Sequence, residues 1–535
     1  AREYKKLCPS VPIWVGGPEV SYEVETFLRE NPYIDGVMIG EGEDTFRELC
    51  GYYAHKRKLS DIAGIAFRKY STGNSTSNRT SVNNAGCKAD EIVFTSPRPI
   101  KNMSEIPFCY DTLDDFSNRI IYYESSRGCP FSCSYCLSSV DKTLRFRDTR
   151  IVKRELKFFI DQKVPQIKFV DRTFNCNHAH AMELWRFIKA NDNGVTNFHF
   201  EISADLLNQE ELELISDMRP GLIQLEIGVQ STNEVTIKEI HRTMKLERLK
   251  EVVKLIQSGN NIHEHLDLIA GLPYEDYDSF GRSFDEIYEL KPNQLQLGFL
   301  KVLKGSYMFE HATEYGIVYH DKPPYEVMST KWLSFDDVIK IKRVEDMLEV
   351  YYNSGQFEIT MKLMECIFDS AFEFFQELGD FYEANGYFGM SHSRIRRCEI
   401  LLEFLALYLH GCDSDAMTSV GLSENHGDRD NTDFDENAQL YSMIQESLIF
   451  DLYYRENCKS RPRWAADIGS FKHMTHAYCK NGKLSHVEPF HYIFPDKHTC
   501  KLDELPKYHK EPVWALFHYD MRDPLDHQAL VEYIK

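Results

Sequence analysis

Short apolar runs alternate with amphipathic stretches along most of the first 300 residues. Residues 11–15 form an apolar run that ends at Gly16-Gly17-Pro18, the signature of a strand entering a turn. Residues 21–30 have helical spacing. Residues 36–39 are a second apolar run, followed by Gly40-Glu41-Gly42-Glu43 and a helix opening near Asp44, and residues 62–67 form a third run. Strands separated by helices predict a parallel sheet. This stretch amounts to about half of a doubly wound domain. Because the chain starts at Ala1, partway through a helical pattern at residues 3–7, we expect further sequence to precede it.

Residues 71–86 are rich in Ser and Asn and lack periodicity, which predicts a loop; with the proline-containing segment that follows, 71–118 reads as a linker. Alternation resumes at 119. Strands are predicted at 120–124, 166–170, 197–202, 222–229, 265–269 and 294–299, with helices such as 181–190 and 246–258 between them. Repeated βα units predict a partial barrel over 119–325 whose chemistry sits at the carboxyl ends of its strands. Lys322-Pro323-Pro324 marks the next boundary. Residues 335–411 have helical spacing and 413–436 are acidic and loop-like. The region 326–535 is expected to be mostly helical, though the pattern of its last hundred residues assigns no fold.

Composition narrows the options. With 42% hydrophobic and 13% aromatic residues in 535, the chain has material for large cores, and its length implies two or three domains. The formal net charge of −21 argues against broad contact with nucleic-acid phosphates. No run approaches the roughly 18 apolar residues of a membrane span. No charged start followed by an apolar core marks a secretory leader. The expected setting is a reducing cytoplasm, in which the 14 cysteines serve as thiols and metal ligands.

Three of those cysteines cluster. In Arg127-Gly128-Cys129-Pro130-Phe131-Ser132-Cys133-Ser134-Tyr135-Cys136 the spacing is C-x3-C-x2-C, between a predicted strand and a helix. Thiolates are the usual ligands of iron–sulfur clusters, and three of them leave one iron of a cubane open to an outside ligand. The alternative is structural zinc, which needs four ligands in paired spacings; only Cys109 lies near enough to be a fourth thiol.

This loop resembles the signature of the radical S-adenosylmethionine (SAM) superfamily, including the aromatic Tyr135 before the last cysteine. The resemblance continues in order through Phe169-Val170-Asp171-Arg172, Phe200-Glu201-Ile202-Ser203, Ile227-Gly228-Val229-Gln230-Ser231 with Arg242 downstream, and Leu268-Ile269-Ala270-Gly271-Leu272-Pro273. Gly16-Gly17-Pro18-Glu19 and Gly40-Glu41-Gly42-Glu43 are similar to the second half of the cobalamin-binding domain that precedes many such domains. The Asp-x-His-x-x-Gly motif that supplies an axial histidine in some of them is not found. The region beyond about 330 looks like the uncharacterised helical extension of one subgroup.

The resemblance therefore implies an α/β protein: a partial (βα)6 radical SAM barrel, preceded at residues 1–70 by part of a doubly wound cobalamin-binding domain and followed by a mainly helical domain. It implies a [4Fe–4S] cluster on Cys129, Cys133 and Cys136, and SAM contacts from Tyr135, Asp171, Glu201, Gln230, Ser231 and Arg242. Gly16, Gly17 and Glu41 would line cobalamin. The implied reaction is reductive cleavage of SAM to a 5′-deoxyadenosyl radical, leading to methylation of an unactivated carbon. A small molecule or peptide would be the substrate and a flavodoxin or ferredoxin the electron donor. A tRNA-modifying methylthiotransferase and a non-catalytic cluster- or cobalamin-binding sensor are the alternatives.

Overall fold

The computed structural model describes residues 1–69, 91–116, 119–140, 142–410, 431–479, 484–494 and 505–534. The predicted loop at 71–86 and most of the acidic stretch 413–436 lie outside these residues. The described chain divides into two compact units, one of residues 1–117, 125–156 and 302–312, the other of 118–124, 157–301 and 313–535.

The first unit opens on a four-stranded sheet of β1 (Trp14–Gly16), β2 (Gly36–Met38), β3 (Ile65–Lys69) and β4 (Glu91–Phe94), paired in that order. Val20, Val24, Leu28, Ile34, Val37 and Ala66 form one core cluster, and Leu49, Ile62 and Ile65 another. The alternation of strands and helices predicts a sheet that is parallel throughout, and here the structure differs. β1 and β2 are parallel, but β3 runs antiparallel to β2 and β4 antiparallel to β3. Segment 54–64, after the helix Gly42–Tyr53, is long enough to carry the chain back before β3 begins. Residues 71–118 are accordingly not a simple linker, since β4 within them completes this sheet. The unit also contains a short ladder of β6 (Ser126–Arg127) and β7 (Arg145–Phe146); the strand just before it, β5 (Ile121–Tyr123), belongs to the second unit.

In the second unit, β5 joins β8 (Gln166–Phe169), β9 (Asn197–Ile202), β10 (Ile223–Gln230), β11 (His263–Ala270) and β12 (Gln294–Phe299) in a parallel sheet of order β12-β11-β10-β9-β8-β5. All six strands fall where the apolar runs predict them. The helices His178–Ala190, Gln209–Ser216, Leu246–Ser258 and Tyr277–Tyr288 provide crossovers, the pattern that makes neighbouring strands parallel. Helix starts follow local chemistry. Asn177 and Asp276 accept backbone hydrogen bonds as N-caps, and Asn208 with Glu211 forms a reciprocal capping box.

One face of this sheet is apolar. Ile167, Phe169, Phe198, Phe200, Ile202, Leu225, Ile227, Leu266 and Leu268 are buried, with Trp185 edge-on to Phe200. The alternate positions are polar and include Lys168, His199, Glu201, Gln224, Glu226, His263, His265 and Asp267, because successive side chains of a strand point to opposite faces.

Beyond the short pair β13 (Val318–Tyr319) and β14 (Val327–Ser329), helices predominate: Phe335–Leu348, Glu358–Ile367, Ala371–Ala384, Arg394–His410 and Asn431–Arg455. The expectation of a mostly helical end is incomplete. Strands β15 (Ser485–Tyr492), β16 (Tyr508–Arg522) and β17 (Ala529–Ile534) form an antiparallel sheet.

These helices are tied to the barrel. Asp285 accepts hydrogen bonds from Ser370 Oγ (2.7 Å) and Phe372 N (2.8 Å), and Tyr277 donates to Gln376 Oε1 (2.5 Å). The Asn353 amide mimics a strand partner for edge strand β12, accepting from Leu295 N (2.9 Å) and donating to Leu295 O (2.8 Å). No helix among the described residues is long and apolar enough to cross a membrane.

Within the C-terminal region, Asp451 is buried and accepts from Ile359 N, Thr360 N and Thr360 Oγ1 at 2.7–2.9 Å. It thereby satisfies the amides that open the helix Glu358–Ile367. Asp451→Ala leaves those donors without their acceptor. We expect a loss of about 2–4 kcal/mol, read as a lower urea midpoint.

Candidate cluster-binding site

The cysteine loop rises from the β6–β7 ladder, in which Ser126 faces Phe146 and Arg127 faces Arg145. Gly128 leaves the ladder at φ +86°, and a Cβ there would lie 2.5 Å from the Thr143 carbonyl oxygen, so glycine is required twice over. Cys129 and Cys133 are buried, Cys136 is half-buried, and none is in a disulfide. The loop is held by Cys136 N donating to Cys133 O (3.2 Å), Ser139 Oγ to Cys136 O (2.6 Å) and Met308 N to Ser134 O (3.0 Å). Tyr135 is half-buried on the same loop.

The donor set suits an iron–sulfur cluster. Three thiols sit on one short segment, and the buried Ser134 Oγ between them has no protein partner, leaving a hydroxyl to donate to a bound group. Among the described residues no three His, Cys, Asp or Glu side chains converge where a single metal ion could sit.

In the same unit, the turns after β1 and β2 leave room for a ligand. Gly17 (φ +101°) and Gly40 (φ +77°) have no atom within 4 Å of where a Cβ would stand, nor has Gly42; a Cβ on Gly16 would meet Met38 at 3.3 Å. Backbone this bare admits a bulky group such as a corrin. Glu41 is differently placed. Its Oε1 lies 3.2 Å from Arg127 Nη1 and 2.7 Å from Arg145 Nη1, and its Oε2 accepts from Lys101 N (3.1 Å). Burial alone would raise this carboxyl, but the Lys101 amide and the two guanidiniums outweigh it and hold it below the usual range.

The second unit carries the residues expected at the strand ends. Asp171, just past β8, is fully buried. Glu201 faces Glu226 across β9 and β10, and Glu226 faces His265 across β10 and β11. Burial works against ionisation of Glu226, yet hydrogen bonds from His199 (2.9 Å) and Lys168 (2.8 Å) prevail and hold its pKa at about 2. Burial, reinforced by the Glu226 charge, pushes Glu201 up to about 7. Burial and these two carboxylates raise Asp267 well above the carboxylate range.

Gln230 follows a register shift in β10 and sits at φ +77°. Its amide folds back over Gly228, where a Cβ would collide with Gln230 Nε2 at 2.2 Å, and its buried Oε1 has no protein partner. Arg242 donates to the Gly228 carbonyl. Gln230 and Arg242 thus converge on one glycine. Ser231 is fully buried and donates to Glu275 Oε1 (2.6 Å), which also accepts from Ser283 Oγ (3.0 Å). The motifs point past Lys168, His199, Glu226, His265 and Asp267, although the signal was present as polar residues at every second position of β9, β10 and β11.

Gly128→Ala should disrupt the loop through both its backbone conformation and the Thr143 contact. Iron bound per chain after anaerobic reconstitution is expected to fall severalfold, while far-ultraviolet circular dichroism stays near that of the unsubstituted chain.

Comparison with known proteins agrees with this geometry. Residues 123–287 match the radical SAM superfamily, and residues 313–528 match a family described as a protein of unknown function (DUF4080), which begins ahead of the boundary expected at 326. An uncharacterized methyltransferase of Pyrococcus horikoshii is 23% identical over 352 residues, 64% of this chain and 70% of that protein. The cobalamin-dependent radical SAM methyltransferase TokK of Streptomyces tokunonensis is 28% identical over 314 residues, 54% of this chain but only 42% of its own length. The chain spans about half or less of several other curated relatives. Among solved structures, the cobalamin-dependent SAM radical enzyme OxsB with aqua-cobalamin bound shares the fold at a TM-score of 0.51 and 16% identity, over 85% of this chain and 70% of that one. Residues 123–287, with their three-cysteine loop and parallel strands, thus match the radical SAM superfamily.

Proposed function

We propose that the chain is a cobalamin-dependent radical SAM enzyme that methylates an unactivated carbon of a small molecule or peptide. The observation that carries the proposal is the loop of Cys129, Cys133 and Cys136: three thiols on a segment shaped by Gly128, so that three irons of a cubane are held and one stays open. The bare glycine turns after β1 and β2, and relatives named as cobalamin-dependent methyltransferases, support the cobalamin part. When bound, these groups supply the electron that cleaves SAM to a 5′-deoxyadenosyl radical and the methyl group for transfer. A reduced flavodoxin or ferredoxin is the proposed electron source.

The chain's own residues bind and orient. The partnerless Gln230 Oε1 accepts from a SAM hydroxyl or amine. Arg242, beside it, offers further donors to the SAM carboxylate. Glu201, poised between charged and neutral at neutral pH, accepts from the SAM amino group or ribose when ionised. Asp171 completes the set in this unit, and Tyr135 stands on the cysteine loop of the other. Ser231 acts through Glu275, fixing the turn that presents Gln230.

Anaerobic reconstitution should give roughly four irons per chain and dithionite-dependent 5′-deoxyadenosine. Cys136→Ala should reduce that product at least a hundredfold; product formation at the original rate with three protein ligands removed in turn would overturn the reading. A sensor would retain cobalamin without any SAM cleavage to lose, and a tRNA-modifying enzyme would retain tRNA at physiological salt.

Glu201 also sets a pH dependence. Its folded pKa of about 7 lies above its unfolded value, so its ionisation costs folded stability as pH rises from about 4.3 towards 7. The same ionisation creates the acceptor, so SAM affinity measured by calorimetry should rise between pH 6 and 8, and Glu201→Gln should flatten the profile.

A further inference from the structure

The Gly40-Glu41-Gly42-Glu43 turn does more than open a helix. Glu41 occupies the N-cap position of the helix Gly42–Tyr53, but its side chain makes no capping bond there. Its carboxylate is directed instead at the stem of the cysteine loop. Arg127 and Arg145 face each other directly across the β6–β7 ladder, a placement that sets two like charges side by side and is unfavourable on its own. Glu41 Oε1 is shared between them, at 3.2 Å from Arg127 Nη1 and 2.7 Å from Arg145 Nη1. Glu43 Oε1 takes the other arm of Arg127 at 2.5 Å. Lys101 closes the arrangement, its amide donating to Glu41 Oε2 (3.1 Å) and its carbonyl accepting from Arg145 Nη1 (3.1 Å). All five residues belong to the same unit as the cysteines, and Arg127 stands two positions before Cys129.

We propose that Glu41 is a positioning residue for the iron–sulfur cluster: by bridging Arg127 and Arg145 it locks the stem of the cysteine loop and balances the positive charge at its base. This rests on the assignment of the cluster to Cys129, Cys133 and Cys136. It gives Glu41 a role toward the cluster in place of the corrin contact implied by sequence. Two guanidiniums without their shared carboxylate stabilise the more negative, reduced cluster, because the added charge acts through a partly buried, low-dielectric region.

The test is made on the full chain reconstituted anaerobically with iron and sulfide, reading iron content, the electron paramagnetic resonance spectrum of the reduced cluster and its midpoint potential. Glu41→Gln should hold its iron but show a midpoint potential more positive than the parent. The double variant Glu41→Gln/Arg145→Gln, which restores the charge count, should return towards the parent value, and Glu41→Asp should fall between. Hydroxocobalamin binding should be unchanged in Glu41→Gln. A parent-like potential and spectrum in a fully loaded Glu41→Gln would overturn the proposal. If that variant cannot be loaded, Arg145→Gln decides: removal of one positive charge should move the potential negative, and an unmoved potential overturns it. Absence of any cluster in the parent chain would instead defeat the assignment of the cluster, a separate outcome.

Discussion

A parallel sheet covered on both faces usually reads as continuous apolar strands. Strands β9, β10 and β11 do not. Each alternates, so that the sheet has one apolar face packed against helices and one face bearing Lys168, His199, Glu201, Glu226, His265 and Asp267. A one-residue slip in any strand would exchange the two faces and bury unpaired charge against aromatic rings. Register is therefore fixed twice over, by the apolar side and by the ion pair of Glu226 with Lys168. The polar face also sets the proton affinities of its members. One carboxylate is held ionised by two partners, and its charge then helps keep Glu201 and Asp267 from ionising. Placing carboxyls with opposed tendencies on adjacent strands gives a site both a fixed anion and groups free to change state.

Much of this was legible in the sequence because the signals are local. Apolar runs found every strand of the six-stranded sheet. Direction was harder to read. Residues 62–69 look like any strand following a helix, and only the path of segment 54–64 decides that β3 runs antiparallel. The strand β4 was hidden because Glu91–Phe94 is short and stands in a proline-containing segment. The β15–β17 sheet was missed because polar residues and prolines break its apolar pattern, Glu488-Pro489 within β15 and His509 to Pro512 at the start of β16. Side-chain roles were the least legible. Ser231 and Glu41 stand in motifs, but what they touch, Glu275 in one case and two arginines in the other, depends on residues distant in sequence.

The asymmetry between the two ends of the chain has a physical basis. The turns near the amino end expose backbone, with Gly17, Gly40 and Gly42 bare, as suits a segment that meets a large ligand. The carboxyl end is dense with aromatic contacts. Phe284 meets both Phe372 and Phe375 where the helix Tyr277–Tyr288 packs on Ala371–Ala384. This is the packing of one continuous core, and it explains why the region from 313 onward falls in the same compact unit as the strands.

The amide of Asn353 adds to that continuity. An outer strand offers a row of unmet donors and acceptors to any other extended chain. By completing Leu295 from a residue well past the barrel, the protein makes its carboxyl-terminal region the guard of that border. Cutting the chain after the last barrel strand would therefore yield a fragment with an adhesive margin, prone to stacking on its own copies.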